Sequence, residues 1–204
     1  MKFDEFYSRQ PYYFGHEHSD GMAEYLETYA VSPCVAIDIG AGEGRNSFYL
    51  ASRGFDVIAI EPSVIGAKKM VEKSSITGIP VKVVATDFLS AITNLNDVGF
   101  VLALTSLDHM DYEYMLKTVE EIKRILIVGG CIYAMVLTED DPGFTSGAEA
   151  SECSAFIKHY FKKNELRDLF SDFEILKYSE YTKEDTTHGA PHYHGKAKLF
   201  AMKK

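Results

Sequence analysis

Continuous apolar runs alternate with amphipathic stretches along most of the chain. The runs CVAID (34–38), FDVIAIE (55–61), VKVVA (81–85), VGFVLAL (98–104) and CIYAMVL (131–137) show little internal alternation of polarity, as strands buried on both faces do. Helical periods separate them. A short helix is predicted from about Arg45 to Arg53, stopped by Gly54, and a second begins near Ser63 and carries Val64, Ile65, Met70 and Val71. From Asp111 to Leu126, the residues Tyr112, Met115, Val119, Ile122 and Leu126 recur at steps of three and four, a stripe that reads as core. Gly129 and Gly130 are expected to end that helix and open the fifth strand. Asn164 is expected to cap a short helix that presents Leu166, Leu169 and Phe170 on one face. The last runs, FEILKYSEY (173–181) and KAKLFAMK (196–203), lie too close together for a helical crossover and should pair antiparallel.

This order predicts an α/β fold, a doubly wound, seven-stranded, mostly parallel, Rossmann-like sheet with a C-terminal antiparallel hairpin. One domain is expected over 1–204, with an N-terminal arm and helix over 1–30. The acidic, small-residue-rich and aperiodic stretch from 138 reads as a lid over 138–160. Ligands of such sheets bind at the carboxyl ends of the strands, near the point where strand order reverses.

Composition narrows the partners. A chain of 204 residues that is 46% hydrophobic can build one sizeable core. A net charge of −9 argues against nucleic acid. Cys34, Cys131 and Cys153 form no CxxC and read as reduced thiols of a cytoplasmic protein. The start, MKFDEFYSRQ, has acids where a signal peptide is apolar, and the longest apolar run spans 13 residues with two glycines inside it. No membrane partner is expected.

Chemistry enters at AIDIGAGEGRN (36–46), where Gly40, Gly42 and Gly44 follow Asp38. A dinucleotide fold asks for GxGxxG; here the spacing is GxGxG, and Asp38 would repel a pyrophosphate while suiting a cationic group. Glu61, closing the second strand, is placed for a ribose diol. Both features fit S-adenosylmethionine, which carries an ammonium, a sulfonium and a ribose but no phosphate.

The segment DIGAGEGRNSFYLASRGFDVIAIEPS resembles the first two motifs of class I S-adenosylmethionine-dependent methyltransferases. Within it, GRNSFYLA resembles the tellurite-resistance methyltransferase family, as do HS at 18–19 and FKKNELRDLFSDFEILKYSEY near the end. The resemblance implies that Asp38, Gly40 and Gly42 hold the methionine portion, with Ala41, Arg45 and Asn46 beside them. It implies Glu61 on the ribose hydroxyls, Pro62 on the adenine, Asp87 and Phe88 at the adenine edge and face, and Thr105 in the pocket wall. The implied activity is methyl transfer from S-adenosylmethionine to a small molecule: a thiol, a soft oxyanion such as tellurite or selenite, or a small metabolite. A non-catalytic sensor of S-adenosylmethionine or S-adenosylhomocysteine is the alternative.

Candidates at the acceptor end are His18, His109, His192 and His194, with Tyr12, Tyr13, His16, Asp108, Phe144, Lys158 and His159 behind them. Each has a plainer reading. Tyr12, Tyr13 and Phe14 pack the arm, a backbone hydrogen bond satisfies His109, Asp108 caps the following helix, and Lys158 is solvated. In THGAPHYHG (187–195), His192 and His194 share a face if the stretch is extended, while His188 lies beyond them. Three imidazoles there suit a divalent metal, an anion or a general base, and a turn-rich hairpin tip equally. Acceptor contact is preferred over metal, because no nearby Cys or Asp in sequence completes a ligand set.

Overall fold

A computed structural model describes residues 2–10, 12–19, 21–145, 151–186 and 191–204. Two helices, α1 (Lys2–Arg9) and α2 (Met22–Thr28), precede the first strand. There follow β1 (Val35–Ile39), α3 (Arg45–Ser52), β2 (Asp56–Ile60), α4 (Val64–Thr77), β3 (Lys82–Val84), α5 (Phe88–Ala91) and β4 (Val98–Leu104). The second half runs through α6 (Tyr112–Ile125), β5 (Leu126–Leu137), α7 (Pro142–Thr145), α8 (Glu165–Leu169), β6 (Glu174–Asp185) and β7 (His192–Met202).

The seven strands are ordered β3-β2-β1-β4-β5-β7-β6. Pairs among β1 to β5 are parallel, while β7 runs antiparallel to both β5 and β6. The chain winds outward from β1 to β3, then returns to β4 on the other side of β1, so strand order reverses between β1 and β4. A crevice at their carboxyl ends follows from that topology. Apolar strand residues are buried on both faces. Ile37, Ile58 and Val101 pack with Met115, Val119 and Ile122 of α6, and Ala36, Phe100 and Tyr133 pack with Met22 and Tyr25 of α2.

Four local expectations need correction. Helix α6 stops at Ile125 and β5 begins at once with Leu126; pairing slips from Val98↔Leu126 to Phe100↔Cys131, so residues 127–130 form an excursion within the strand. Gly129 sits there at φ +80° and its N–H reaches Lys203 O at 2.8 Å, which makes it a bulge residue rather than a helix stop. Asn164 makes no side-chain cap; the Lys162 N–H is accepted by Glu165 instead (2.8 Å). The hairpin strands are longer than predicted, with Asp185 opposite His192, so His192 and His194 belong to a strand and not to a tip. His188 lies outside the described residues. Among the described residues no helix is long and apolar enough to cross a membrane.

Candidate functional site

The glycine turn is sewn to the end of β2, with Gly40 and Ala41 N–H groups donating to Ile60 O at 2.9 and 3.1 Å. Gly40 and Gly42 take φ of +69° and +60°, and space as well as backbone conformation demands glycine. A Cβ on Gly40 would lie 2.9 Å from Ser106 Cβ, and one on Gly42 would lie 3.0 Å from the Tyr7 hydroxyl. The turn therefore touches both the end of β4 and the N-terminal arm.

Two acids stand behind it. Asp38 is buried and accepts from Ser47 Oγ at 2.6 Å, and burial pushes its carboxyl up to about 6. It supports the start of α3 from beneath the floor and does not line the cavity, because its side chain turns into the β1–α3 contact. Glu61 accepts from Gly42 N and Ser63 N, both at 2.7 Å. Burial still outweighs those two bonds and pushes its carboxyl up to about 7. Each oxygen keeps a second lone pair for an incoming hydroxyl.

Above the turn lies a cavity of about 310 Å³, at the lower end of ordinary ligand pockets. Gly40, Ala41, Gly42, Arg45, Asn46, Glu61 and Pro62 form its floor and near wall. Asp87, Phe88 and Thr105 continue it along the next strand ends. Asp87 accepts from Ser90 N and Tyr114 Oη at 3.0 and 2.6 Å; the Tyr114 bond above all holds its carboxyl low. Thr105 is held at φ +49°, an uncommon conformation for a β-branched residue, by its N–H bond to Met135 O at 2.7 Å. Beside it, Ser106 lines the cavity, and its buried Oγ has no hydrogen-bond partner among the described residues. A buried hydroxyl left so is costly unless a ligand or water meets it.

The roof comes from the arm. Phe3, Tyr7 and Phe14 line the cavity, and Phe3 and Phe6 pack edge-on against Phe156, in the stretch expected as a lid, at 5.5 and 5.4 Å. Arg45 donates to Phe14 O at 2.7 Å and Asn46 Oδ1 accepts from Ser19 N at 2.8 Å, so both tie the arm down. Sequence reasoning missed Glu43. Its carboxylate accepts from the N–H groups of Tyr12 (2.9 Å) and Tyr13 and pairs with Lys69 Nζ at 2.6 Å. Lys69 also donates to the carbonyls of Tyr7 and Gln10. An acid inside a glycine turn was the only signal, and its partners lie 26 to 31 residues away.

The acceptor-side candidates separate. His109 lines the cavity, with Nδ1 3.1 Å from Phe156 O and its ring edge-on to Phe3 at 5.0 Å. His194 lines it too, with Nδ1 2.7 Å from Asp141 Oδ2. His192 is not in the lining and touches it through His194, Nε2 to Nε2 at 3.0 Å. His18 does not line the cavity and lies against the Tyr49 ring at 4.0 Å, while the backbone N–H of the next residue, Ser19, donates to Asn46 Oδ1. Asp108 is no cap. It is fully buried, accepts from Leu137 N at 3.0 Å, leaves Oδ1 without a partner among the described residues, and burial raises its pKa. Lys158 pairs with Asp111 at 2.7 Å, His159 with Glu165 at 2.8 Å, and His16 lies against Tyr12. Phe144 is half-exposed against Tyr160. Among the described residues no group of three or more His, Cys, Asp or Glu is arranged to hold a metal ion.

Comparison with known proteins agrees with this architecture. The family described as tellurite resistance protein TehB matches residues 1–197. Hemagglutinin 1 of Eikenella corrodens is 26% identical over 183 residues, covering 86% of this chain and 57% of that protein. A probable S-adenosyl-L-methionine-dependent methyltransferase TehB of Haemophilus influenzae is 26% identical over 152 residues, 74% of this chain and 49% of that one. The chain thus spans about half the length of the curated relatives it matches. The crystal structure of TehB from Haemophilus influenzae superposes with a TM-score of 0.79 at 21% identity, covering 99% of this chain and 67% of that one. A methyltransferase structure from Methanosarcina mazei gives 0.69 at 18% identity, covering 92% and 98%.

Proposed function

This chain belongs to the TehB family of tellurite-resistance proteins, and from that premise we propose that it is an S-adenosylmethionine-dependent methyltransferase acting on a small acceptor. The observation that carries the reading is the crevice itself: a GxGxG turn whose glycines leave no room for a Cβ, Glu61 with spare lone pairs, and a buried Ser106 hydroxyl with no partner among the described residues, gathered where strand order reverses. In this reading the turn and Arg45 side hold the methionine portion, Glu61 the ribose, and Pro62, Asp87 and Phe88 the adenine. The cofactor, when bound, supplies an electrophilic methyl group. The protein's own residues position it, exclude water beneath the aromatic roof and present the acceptor from the His109 and His194 side. A net charge of −9 favours a small acceptor over nucleic acid, and free thiols at Cys34 and Cys131 favour a cytoplasmic location.

Titration calorimetry with S-adenosylmethionine tests the binding half. Glu61→Ala should weaken it by about 1–3 kcal/mol, since a bonded partner is left unpaired. A screen for S-adenosylhomocysteine production with thiols, tellurite, selenite and small acids tests the catalytic half. Binding without turnover on any of them would assign the chain to sensing, and tight NADH binding with no affinity for S-adenosylmethionine would end the reading.

A further inference from the structure

Asp141 joins the segment that follows β5 to the hairpin. Its side chain is fully buried, Oδ1 accepts from Gly143 N at 2.7 Å, and Oδ2 accepts from Gly195 N at 3.2 Å and meets His194 Nδ1 at 2.7 Å. The approach is enforced by packing: a Cβ on Gly195 would lie 2.5 Å from Asp140 C and Asp141 N. A buried carboxylate against Nδ1 keeps the proton of a neutral imidazole on that nitrogen and leaves Nε2 as an acceptor. His194 Nε2 faces His192 Nε2 at 3.0 Å with the rings perpendicular, so the proton between them belongs to His192. His194 forms part of the cavity wall, whereas His192 is the more exposed of the two.

The groups around the pair complete the picture. Lys196 and Asp185, an ion pair at 3.1 Å, line the same wall, and Lys183 lies opposite His194 on β6. The buried Asp108 carboxyl interacts electrostatically with His194 from the β4 side, and Tyr160 does so with Asp141.

We propose that Asp141 is the positioning residue of a general-base unit, Asp141–His194–His192, that takes a proton from the methyl acceptor, and that the acceptor is therefore a protic nucleophile such as a thiol, a hydroxyl or a protonated oxyanion. This rests on the methyltransferase reading. As the lone pair of the acceptor atom X bonds the methyl carbon, the carbon–sulfur pair stays on sulfur, leaving S-adenosylhomocysteine, and the X–H proton passes to the imidazole pair. The X–H proton arrives at His192 Nδ1 as the His192 Nε2–H moves to His194 Nε2, so that His194 holds protons on both nitrogens, Nδ1–H on Asp141 and Nε2–H toward the now unprotonated His192 Nε2. His192 Nδ1–H then passes to water as the Nε2 proton returns to His192.

Two measurements on the full chain test this. Nitrogen-15 NMR of histidine-labelled protein should find neutral His194 as the Nδ1–H tautomer, and Asp141→Asn should abolish that preference. Methyl transfer should then be compared between an alkyl thiol, which must lose a proton, and a nitrothiophenol already ionised at neutral pH. Asp141→Asn and His194→Gln should each slow the alkyl thiol by roughly 10²-fold or more, as loss of a general base does, while the ionised thiol changes within about threefold. The KM for S-adenosylmethionine should hold, and His194→Gln guards against a folding defect peculiar to the buried aspartate. An Nε2–H tautomer, equal loss on both thiols, or a stoichiometric metal on the pair overturns the proposal. Transfer to both thiols that neither variant slows overturns this step alone; no transfer by the wild type to any acceptor overturns the methyltransferase reading with it.

Discussion

Glu61 is pulled in two directions by its surroundings. Two backbone N–H groups favour the carboxylate, yet burial favours the neutral acid and wins, leaving a carboxyl that ionises at about 7 where an ordinary one ionises at 4.5. Asp38 beneath it behaves likewise, raised from 3.8 to about 6 by burial. In the unfolded chain both groups ionise at their ordinary values, so between about pH 4 and pH 7 the folded state retains protons that the unfolded state has lost. Their stabilising contribution is complete below the ordinary values and disappears as pH rises through about 6 to 7. For Glu61 this amounts to on the order of 1–3 kcal/mol. Thermal melts of the ligand-free protein should fall from pH 5 to pH 8, and Glu61→Gln should flatten that slope. An equal slope in both proteins would show that Glu61 does not titrate in this range. The carboxylate is also the better acceptor for ribose hydroxyls, so affinity for S-adenosylmethionine should rise through the same window.

Helix α1 shows how an element far from the sheet can become part of the site. Alone it is eight residues long, too short to be stable by propensity. It is held by Asp4 accepting from Ser63 Oγ and Ile65 N, and the chain after it by Glu43 and Lys69. Glu43→Ala would leave two N–H groups and a mostly buried ammonium without their carboxylate, a local cost of about 2–4 kcal/mol. Amide exchange over 3–9 and 12–19 should quicken by roughly 10²-fold while the sheet core is unaffected; unchanged protection of the arm would remove Glu43 from this role. None of this was legible in the sequence, because Glu43, Lys69 and the arm backbone are brought together only by the fold. The strands and the cofactor turn were legible for the opposite reason: continuous apolar runs report burial on both faces, and glycine spacing reports local backbone demand. Residues 127–130 misled because a glycine pair reads equally as a helix stop or a bulge. Asp141 escaped notice because its partner His194 lies 53 residues away.

At the scale of the whole molecule, the strand ends supply the floor of the cavity, and residues from three remote segments line it above: the arm, the stretch expected as a lid, and the hairpin. Phe156 of the lid packs on Phe3 and Phe6 of the arm, and its carbonyl meets His109 Nδ1 at 3.1 Å. The hairpin reaches the lid through Asp141 and His194. A ligand that orders the arm should therefore order the lid as well, since each gains apolar contact only when the other is in place. Hydrogen exchange with and without S-adenosylhomocysteine should show protection rising together over 3–9, 12–19 and 151–157. Phe156→Ala removes the shared ring and leaves the cofactor floor intact, so the arm should still gain protection while the lid does not. The same substitution should raise the S-adenosylmethionine dissociation rate by roughly 10-fold, the equivalent of about 1.4 kcal/mol of lost contact. Joint protection that survives in Phe156→Ala would mean that the arm and the lid are coupled through the hairpin or the ligand rather than through this aromatic contact.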